Sequence, residues 1–285
     1  MAQSFIAACV QMRGRVDPAA NLDDAARMIR EAASQGATYV QTPEISNLVN
    51  RDRETMLKSI TTEDADPMLA AFRSLARELR VTIHAGSLSI KNGNKVANRA
   101  FVIDPTGALS ARYDKIHLFD VDLPNGETWR ESNTFTGGSE AVVVDLPAAR
   151  LGLAICYDVR FPYLFRALAD HGATILSAPA CFTKQTGEAH WSVLQRARAI
   201  ENGAFMISAA QAGLHEDGRE TYGHSMIVDP WGRVLAEADD APGVILATIN
   251  LDAVTEARSR IPALRHTRPT PVHDAAATVK DERAA

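Results

Sequence analysis

The sequence predicts an α/β protein built as a four-layer α-β-β-α sandwich, with two sheets face to face and helices outside. Three observations point there. Strand and helix signals alternate along the chain. An α–β unit repeats, because Gly36-Ala-Thr-Tyr-Val-Gln-Thr-Pro43 is echoed by Gly172-Ala-Thr-Ile-Leu-Ser-Ala-Pro179. A hairpin repeats as well, in Phe101-Val-Ile-Asp-Pro-Thr-Gly107 and Met226-Ile-Val-Asp-Pro-Trp-Gly232, where a strand enters a proline-containing tight turn. Two similar halves, each a sheet covered by helices on one face, bury their bare faces against one another. A single doubly wound sheet is the alternative. The hairpins at Asp104 and Asp229 imply mixed or antiparallel pairing and favour the sandwich.

Taken in order, residues 5–10 read as a first buried strand. Asn21 then caps a helix with Leu22, Ala26, Ile29 and Ala33 on one face, and Gly36 stops it. Residues 37–42 form the next strand, which ends at Pro43-Glu44. Asp66-Pro67 opens a second helix with Leu69, Phe72, Leu75 and Leu79 inward. A strand over 81–90 reaches the turn Lys91-Asn-Gly-Asn94, and strands at 101–103 and 142–144 follow. The run Leu151-Gly-Leu-Ala-Ile-Cys156 is apolar throughout, as suits a strand buried on both faces. Pro162 can open a helix. Cys156 therefore sits at a strand tip on the way into a helix, where a helix N-terminus would favour a thiolate.

The chain has 285 residues, 46% hydrophobic and 23% charged, with a formal charge of -5. It reads as one domain over residues 1–268 with a polar tail at 269–285. The acidic balance and the dispersed basic residues argue against nucleic acid or a membrane surface as partner. No apolar run approaches the ~20 residues of a membrane span. Cys9, Cys156 and Cys181 form no CxxC pair and leave one thiol over in any disulfide scheme, which suggests free thiols in a reducing, cytoplasmic setting. The N-terminus shows no signal-sequence pattern. No HExxH, HxxxH or phosphate-loop pattern occurs, so neither a metal nor another cofactor is expected.

A cysteine nucleophile needs a base and donors for the oxyanion. No histidine lies at a spacing that identifies it as the base. Glu44, just past a buried strand, and Lys115, in Tyr113-Asp-Lys-Ile-His-Leu-Phe-Asp120, are the conspicuous charges, although spacing alone does not bring them to Cys156.

Together, Pro43-Glu44, the Tyr-x-Lys-x-His-Leu-Phe-Asp stretch at Lys115 and Cys156-Tyr-Asp-Val-Arg-Phe-Pro162 resemble the carbon–nitrogen hydrolase (nitrilase) superfamily. The resemblance spans roughly residues 4–268. It implies the same nitrilase-like sandwich, a homodimer or larger homo-oligomer, and a Glu44–Lys115–Cys156 triad supported by Glu131. Residues 182–191, 195–202, 221–226 and 229–232 resemble the deaminated glutathione amidases of the Nit branch. The implied reaction is hydrolysis of a small carboxylate-bearing amide through a cysteine thioester, with release of ammonia. Cleavage of an ω-amide or an N-carbamoyl amino acid is the alternative, and a non-enzymatic scaffold is disfavoured by the intact triad. The backbone N–H of Tyr157 would join Lys115 at the oxyanion. Candidates for the substrate pocket are Arg160, Phe182, Thr183, Thr186, His190 and Trp191. Arg160 either clamps a carboxylate or forms a structural ion pair with Asp158 or another acid, Trp191 is either pocket or core, and Cys181 reads as a small filler.

Overall fold

The computed structural model describes residues 4–273. Strand β1 (Ser4–Gln11) leads into helix α1 (Pro18–Ser34), then β2 (Tyr39–Gln41), the short α2 (Arg53–Ser59) and α3 (Pro67–Leu79). The long hairpin β3 (Thr82–Asn92) and β4 (Lys95–Ile103) follows, and β5 (Leu109–Asp114) completes the first half. Its sheet runs in the order β17-β1-β2-β3-β4-β5, with β17 (Gly243–Asn250) arriving from the end of the chain. Strands β1, β2 and β3 are mutually parallel, whereas β4, β5 and β17 join antiparallel.

An excursion intervenes, with the hairpin β6 (Asp120–Asp122) and β7 (Thr128–Arg130), then β8 (Phe135–Thr136) alongside β4. The second half comprises β9 (Val142–Asp145), β10 (Arg150–Leu153), α4 (Pro162–Asp170), β11 (Ile175–Ser177), α5 (Lys184–Asn202) and β12 (Phe205–Ser208). A small hairpin of β13 (Ala212–Leu214) and β14 (Glu220–Tyr222) precedes β15 (Met226–Val228) and β16 (Val234–Glu237). The second sheet runs β16-β15-β12-β11-β10-β9, again with three parallel strands at its centre and antiparallel neighbours outside. The order of the first sheet is thus reproduced.

Alternation along the strands sorts the core into layers. Ala8 and Val10 of β1 face Met28, Ile29 and Phe72 of α1 and α3, whereas Ala7 and Cys9 join the cluster shared with the second sheet. Helices α4 and α5 cover the outer face of that second sheet. The repeated turns have the same chemistry. In each, the backbone N–H two residues after the proline-bearing Asp step donates back, Gly107 to Asp104 O and Gly232 to Asp229 O, both at 2.9 Å. Each Asp side chain also accepts from the turn, from Thr106 N at 2.8 Å and from Trp231 N at 2.9 Å. Gly93, at φ +59°, makes the two-residue β3–β4 turn that the sequence signals.

Helix α1 corrects one expectation. It begins at Pro18, capped by Asp17, whose carboxylate accepts from Ala19 N. Asn21 is inside the helix and buried, holding Arg15 through both its oxygen and its amide. The earlier start turns the inward face toward Ala25, Met28, Ile29 and Ala32, leaving Leu22, Ala26 and Ala33 half-buried. Residues 269–273 are exposed and without regular structure, and the rest of the expected tail lies outside the described residues. Among the described residues no helix is long and apolar enough to cross a membrane.

Candidate active site

The two repeated α–β units place the carboxylate. Beyond β2, the turn through Thr42, Pro43 and Glu44 is gripped by an irregularity in β3: Ser87 N donates to Pro43 O and Ser87 Oγ accepts from Ile45 N at 2.8 Å. Ile45 takes a left-handed φ of +47°, which turns the chain sharply after Glu44. A Cβ on Gly86 would stand 2.0 Å from Thr42 O and 2.6 Å from Pro179 Cβ, so only glycine lets Pro43 and its repeat counterpart Pro179 approach here.

Cys156 stands three residues beyond β10, at the first position of a 3-10 turn (Cys156–Arg160), with φ +48°. Its N–H donates to Pro179 O at 2.9 Å. A non-glycine residue in this region is strained by roughly 1–3 kcal/mol, and such strain persists only where neighbours hold it. A five-residue 3-10 turn forms the link between the thiol and the helix that the sequence expects to open at Pro162. The α-helix starts at Pro162.

Asp158 supplies much of the holding. Fully buried, it accepts from Ile155 N (2.8 Å), Tyr113 Oη (2.7 Å) and His117 N (3.0 Å), with His117 Nδ1 at 2.6 Å. These partners lie just before Cys156 and on either side of Lys115. One carboxylate therefore ties the nucleophile's turn to the lysine's segment.

Lys115 Nζ donates to Glu44 Oε1 at 2.9 Å and to both oxygens of Glu131 at 3.0 and 2.8 Å. Asn98 bridges the same two carboxylates at 2.9 and 3.2 Å, and Cys181 N donates to Glu44 Oε2 at 2.7 Å. Glu44, Lys115 and Cys156 are all nearly excluded from solvent. Burial alone would raise the Glu44 carboxyl, but the Lys115 ammonium and the donated hydrogen bonds hold it below the ordinary value. Burial opposes the charge on Lys115, yet Glu131 and Glu44 raise it well above the usual lysine range. The Cys156 thiol is pushed well up, first by burial and next by the Glu44 carboxylate, with Lys115 pulling the other way. The resting site thus holds a carboxylate base, an ammonium and a protonated thiol.

These groups line a cavity of about 370 Å³ together with Phe119, Trp129, Tyr157, Phe182, Thr183 and Thr186. None of its lining residues is a histidine. Tyr157 N–H comes one place before the first N–H that the 3-10 turn satisfies, Asp158 to Ile155 O at 3.0 Å. Of the residues the sequence offers for a substrate pocket, Phe182, Thr183 and Thr186 line this cavity. Arg160, His190 and Trp191 are not on the wall. Trp191 is core, its indole donating to His224 O at 2.7 Å. Arg160, half-buried, lies beside His190 (3.2 Å) and over the ring of Phe182, and Asp158 spends its oxygens elsewhere. Cys181, read as filler, lines the cavity and contributes its backbone N–H.

The sequence reading missed Asn98, Arg51, Trp129 and Arg219. Asn98 alone had a local signal, an amide in a strand whose other residues, Lys95 and Arg99 apart, are apolar. The others come from loops and short strands that only the folded chain brings together.

Comparison with known proteins agrees with this architecture. Residues 6–259 match the family model described as carbon-nitrogen hydrolase. The chain is 40% identical over 267 residues to the deaminated glutathione amidase of Synechocystis sp., covering 92% of this chain and 97% of that one. The crystal structure of the C. elegans NitFhit protein superposes with a TM-score of 0.86 at 36% identity, over 94% of this chain and 66% of that longer one. An amidase from Nesterenkonia sp. superposes with a TM-score of 0.78 at 25% identity, over 97% of this chain and 96% of that one. That structure is of a glutamate-to-glutamine mutant with the acetamide moiety of fluoroacetamide added covalently at its active-site cysteine.

Proposed function

This chain belongs to the carbon–nitrogen hydrolase family and is an amidase, and on that premise we propose that it cleaves a small carboxylate-bearing amide of the deaminated glutathione type through Cys156. One observation carries the assignment of roles: Glu44, paired with Lys115 at 2.9 Å, shares one buried cavity with the Cys156 thiol. A glutamate in that state is a general base beside a thiol that keeps its proton until substrate arrives.

As sulfur attacks the amide carbonyl, Glu44 takes the thiol proton. Negative charge moves from Glu44 to the tetrahedral oxygen, and the total charge of the site is unchanged. Lys115 Nζ and Tyr157 N–H receive that oxygen. Loss of one such donor typically costs ~100-fold or more. Glu44 then protonates the departing nitrogen, the C–N bond breaks and an acyl thioester remains on Cys156. A water that gives its proton to Glu44 attacks the thioester, releasing the carboxylic acid and restoring the thiol. Glu131 keeps Lys115 charged and in place throughout. Turnover of this kind requires a free thiol, consistent with a reducing cytoplasmic setting.

Ammonia leaves only when the amide is primary. The secondary amide of deaminated glutathione releases an amine instead, so the acid product must be followed. The test is hydrolysis of deaminated glutathione, α-ketoglutaramate, N-carbamoyl amino acids and simple nitriles under one set of conditions. The proposal expects the highest kcat/KM on deaminated glutathione. A preference for an uncharged nitrile or amide would contradict it.

A further inference from the structure

We infer that Arg51, laid over Trp129 at the cavity rim, is the subsite for a carboxylate several bonds removed from the scissile amide. This deepens the function proposed above and rests on its carboxylate-bearing substrate.

The charges on the cavity wall are mostly spent. Lys115 is paired with Glu44 and Glu131, Arg130 with Asp122, Arg219 with Asp217 at 2.8 Å, and Glu220 with Lys184. Glu127 accepts the Trp129 indole N–H at 3.2 Å. Among the described residues two cations of the wall, Arg51 and Arg53, enter no ion pair; of these Arg51 is the one set on the aromatic wall, its guanidinium 4.6 Å from the centre of the Trp129 ring. A guanidinium stacked on an indole keeps its N–H edge free, and that edge matches a carboxylate.

Position supplies the rest. Trp129 is two residues before Glu131, the carboxylate that holds Lys115, and both line the cavity. Two residues of chain span at most about 7 Å even fully extended, and Glu131 already opens the 3-10 turn that follows β7. An aromatic wall covers that interval: Tyr157, next to the nucleophile, packs on Phe119 at 5.1 Å, and Phe119 packs on Trp129 at 6.3 Å. A substrate with its carbonyl at Cys156 therefore lies along this wall and brings a distal carboxylate to Arg51. A short amide acid does not reach it. Arg219, 5.3 Å from the same ring, is tied to Asp217 and fixes the Trp129 platform.

The experiment measures kcat/KM for deaminated glutathione and for the same compound with its carboxylates esterified, on the full chain and its Arg51→Met and Arg51→Lys variants. Wild type should prefer the acid. Arg51→Met should lower the acid-to-ester ratio about tenfold, chiefly through KM, the low end for a charge-assisted bond because Arg51 remains exposed to solvent. Arg51→Lys should recover part of the ratio. An equal loss on both compounds, as a purely structural arginine or a poorly folded variant would give, overturns the assignment. So does an unchanged ratio, while leaving the carboxylate-bearing substrate intact. A wild type indifferent to esterification removes the substrate reading and this subsite with it.

Discussion

Glu44→Gln is the most informative single change, because the geometry fixes what it must do. Both oxygens of Glu44 are committed: Oε1 accepts from Lys115 and Asn98, and Oε2 accepts from Cys181 N. Glutamine has one oxygen. Whichever way its amide faces, an N–H₂ group is set against buried donors, and at least one of them is left unpaired. That costs about 1–3 kcal/mol of stability. Catalysis loses its base, worth ~10²–10⁴-fold. Stopped-time assays of acid product should show that loss, and thermal denaturation should show a modest fall. The pH dependence follows with its sign. Glu44 is held below the ordinary carboxylate value by Lys115 despite its burial. Wild-type activity should therefore persist as pH falls past that ordinary value and decline only near the lowered one. The stability contributed by Glu44 is likewise present above its unfolded value and lost as pH falls through the folded one. A Glu44→Gln enzyme retaining a third or more of wild-type kcat/KM would refute this reasoning.

Three further outcomes are expected. Lys115→Met leaves Glu44 and Glu131 facing one another without a cation, so residual activity should fall at least 100-fold and its acidic limb should move to higher pH, as a pH–rate profile would record. Asp158→Asn cannot satisfy every donor that Asp158 now serves, and should lower kcat far more than it changes KM, with a stability loss of ~1–3 kcal/mol in urea titration. Gly86→Ala places a methyl 2.0 Å from Thr42 O. It should cost at least ~1–3 kcal/mol and reduce turnover by displacing Glu44, seen as a fall in both the denaturation midpoint and kcat.

The architecture was legible where turn chemistry is local. The Asp-Pro-x-Gly hairpins and the paired strands ending at Pro43 and Pro179 identified two like halves, and their observed hydrogen bonds match. The helix at Asp17-Pro18 was placed late because Asn21 has the cap's chemistry but spends it on Arg15 and Asn47 from inside the helix. Cys156, Glu44 and Lys115 could be singled out as strand-end residues, yet their meeting was implied only by resemblance. Partners such as Asp158 with Tyr113 and His117 are more than forty residues apart, and no periodic pattern reports such contacts. The cavity wall was the least legible part. Arg51, Trp129 and Arg219 come from three separate segments of irregular or short structure, whereas Trp191, conspicuous in sequence, is core, and Arg160 lies beside His190 over the ring of Phe182.

The central claim is that Cys156 takes the acyl group from an amide while Glu44 and Lys115 manage the proton and the charge. Rapid acid quenching during turnover, followed by intact-mass measurement and peptide mapping, tests it directly. The expected result is one acyl adduct per chain on the peptide carrying Cys156, absent from Cys156→Ala, which should also be inactive. Turnover by Cys156→Ala, or an adduct confined to Cys181, would contradict it.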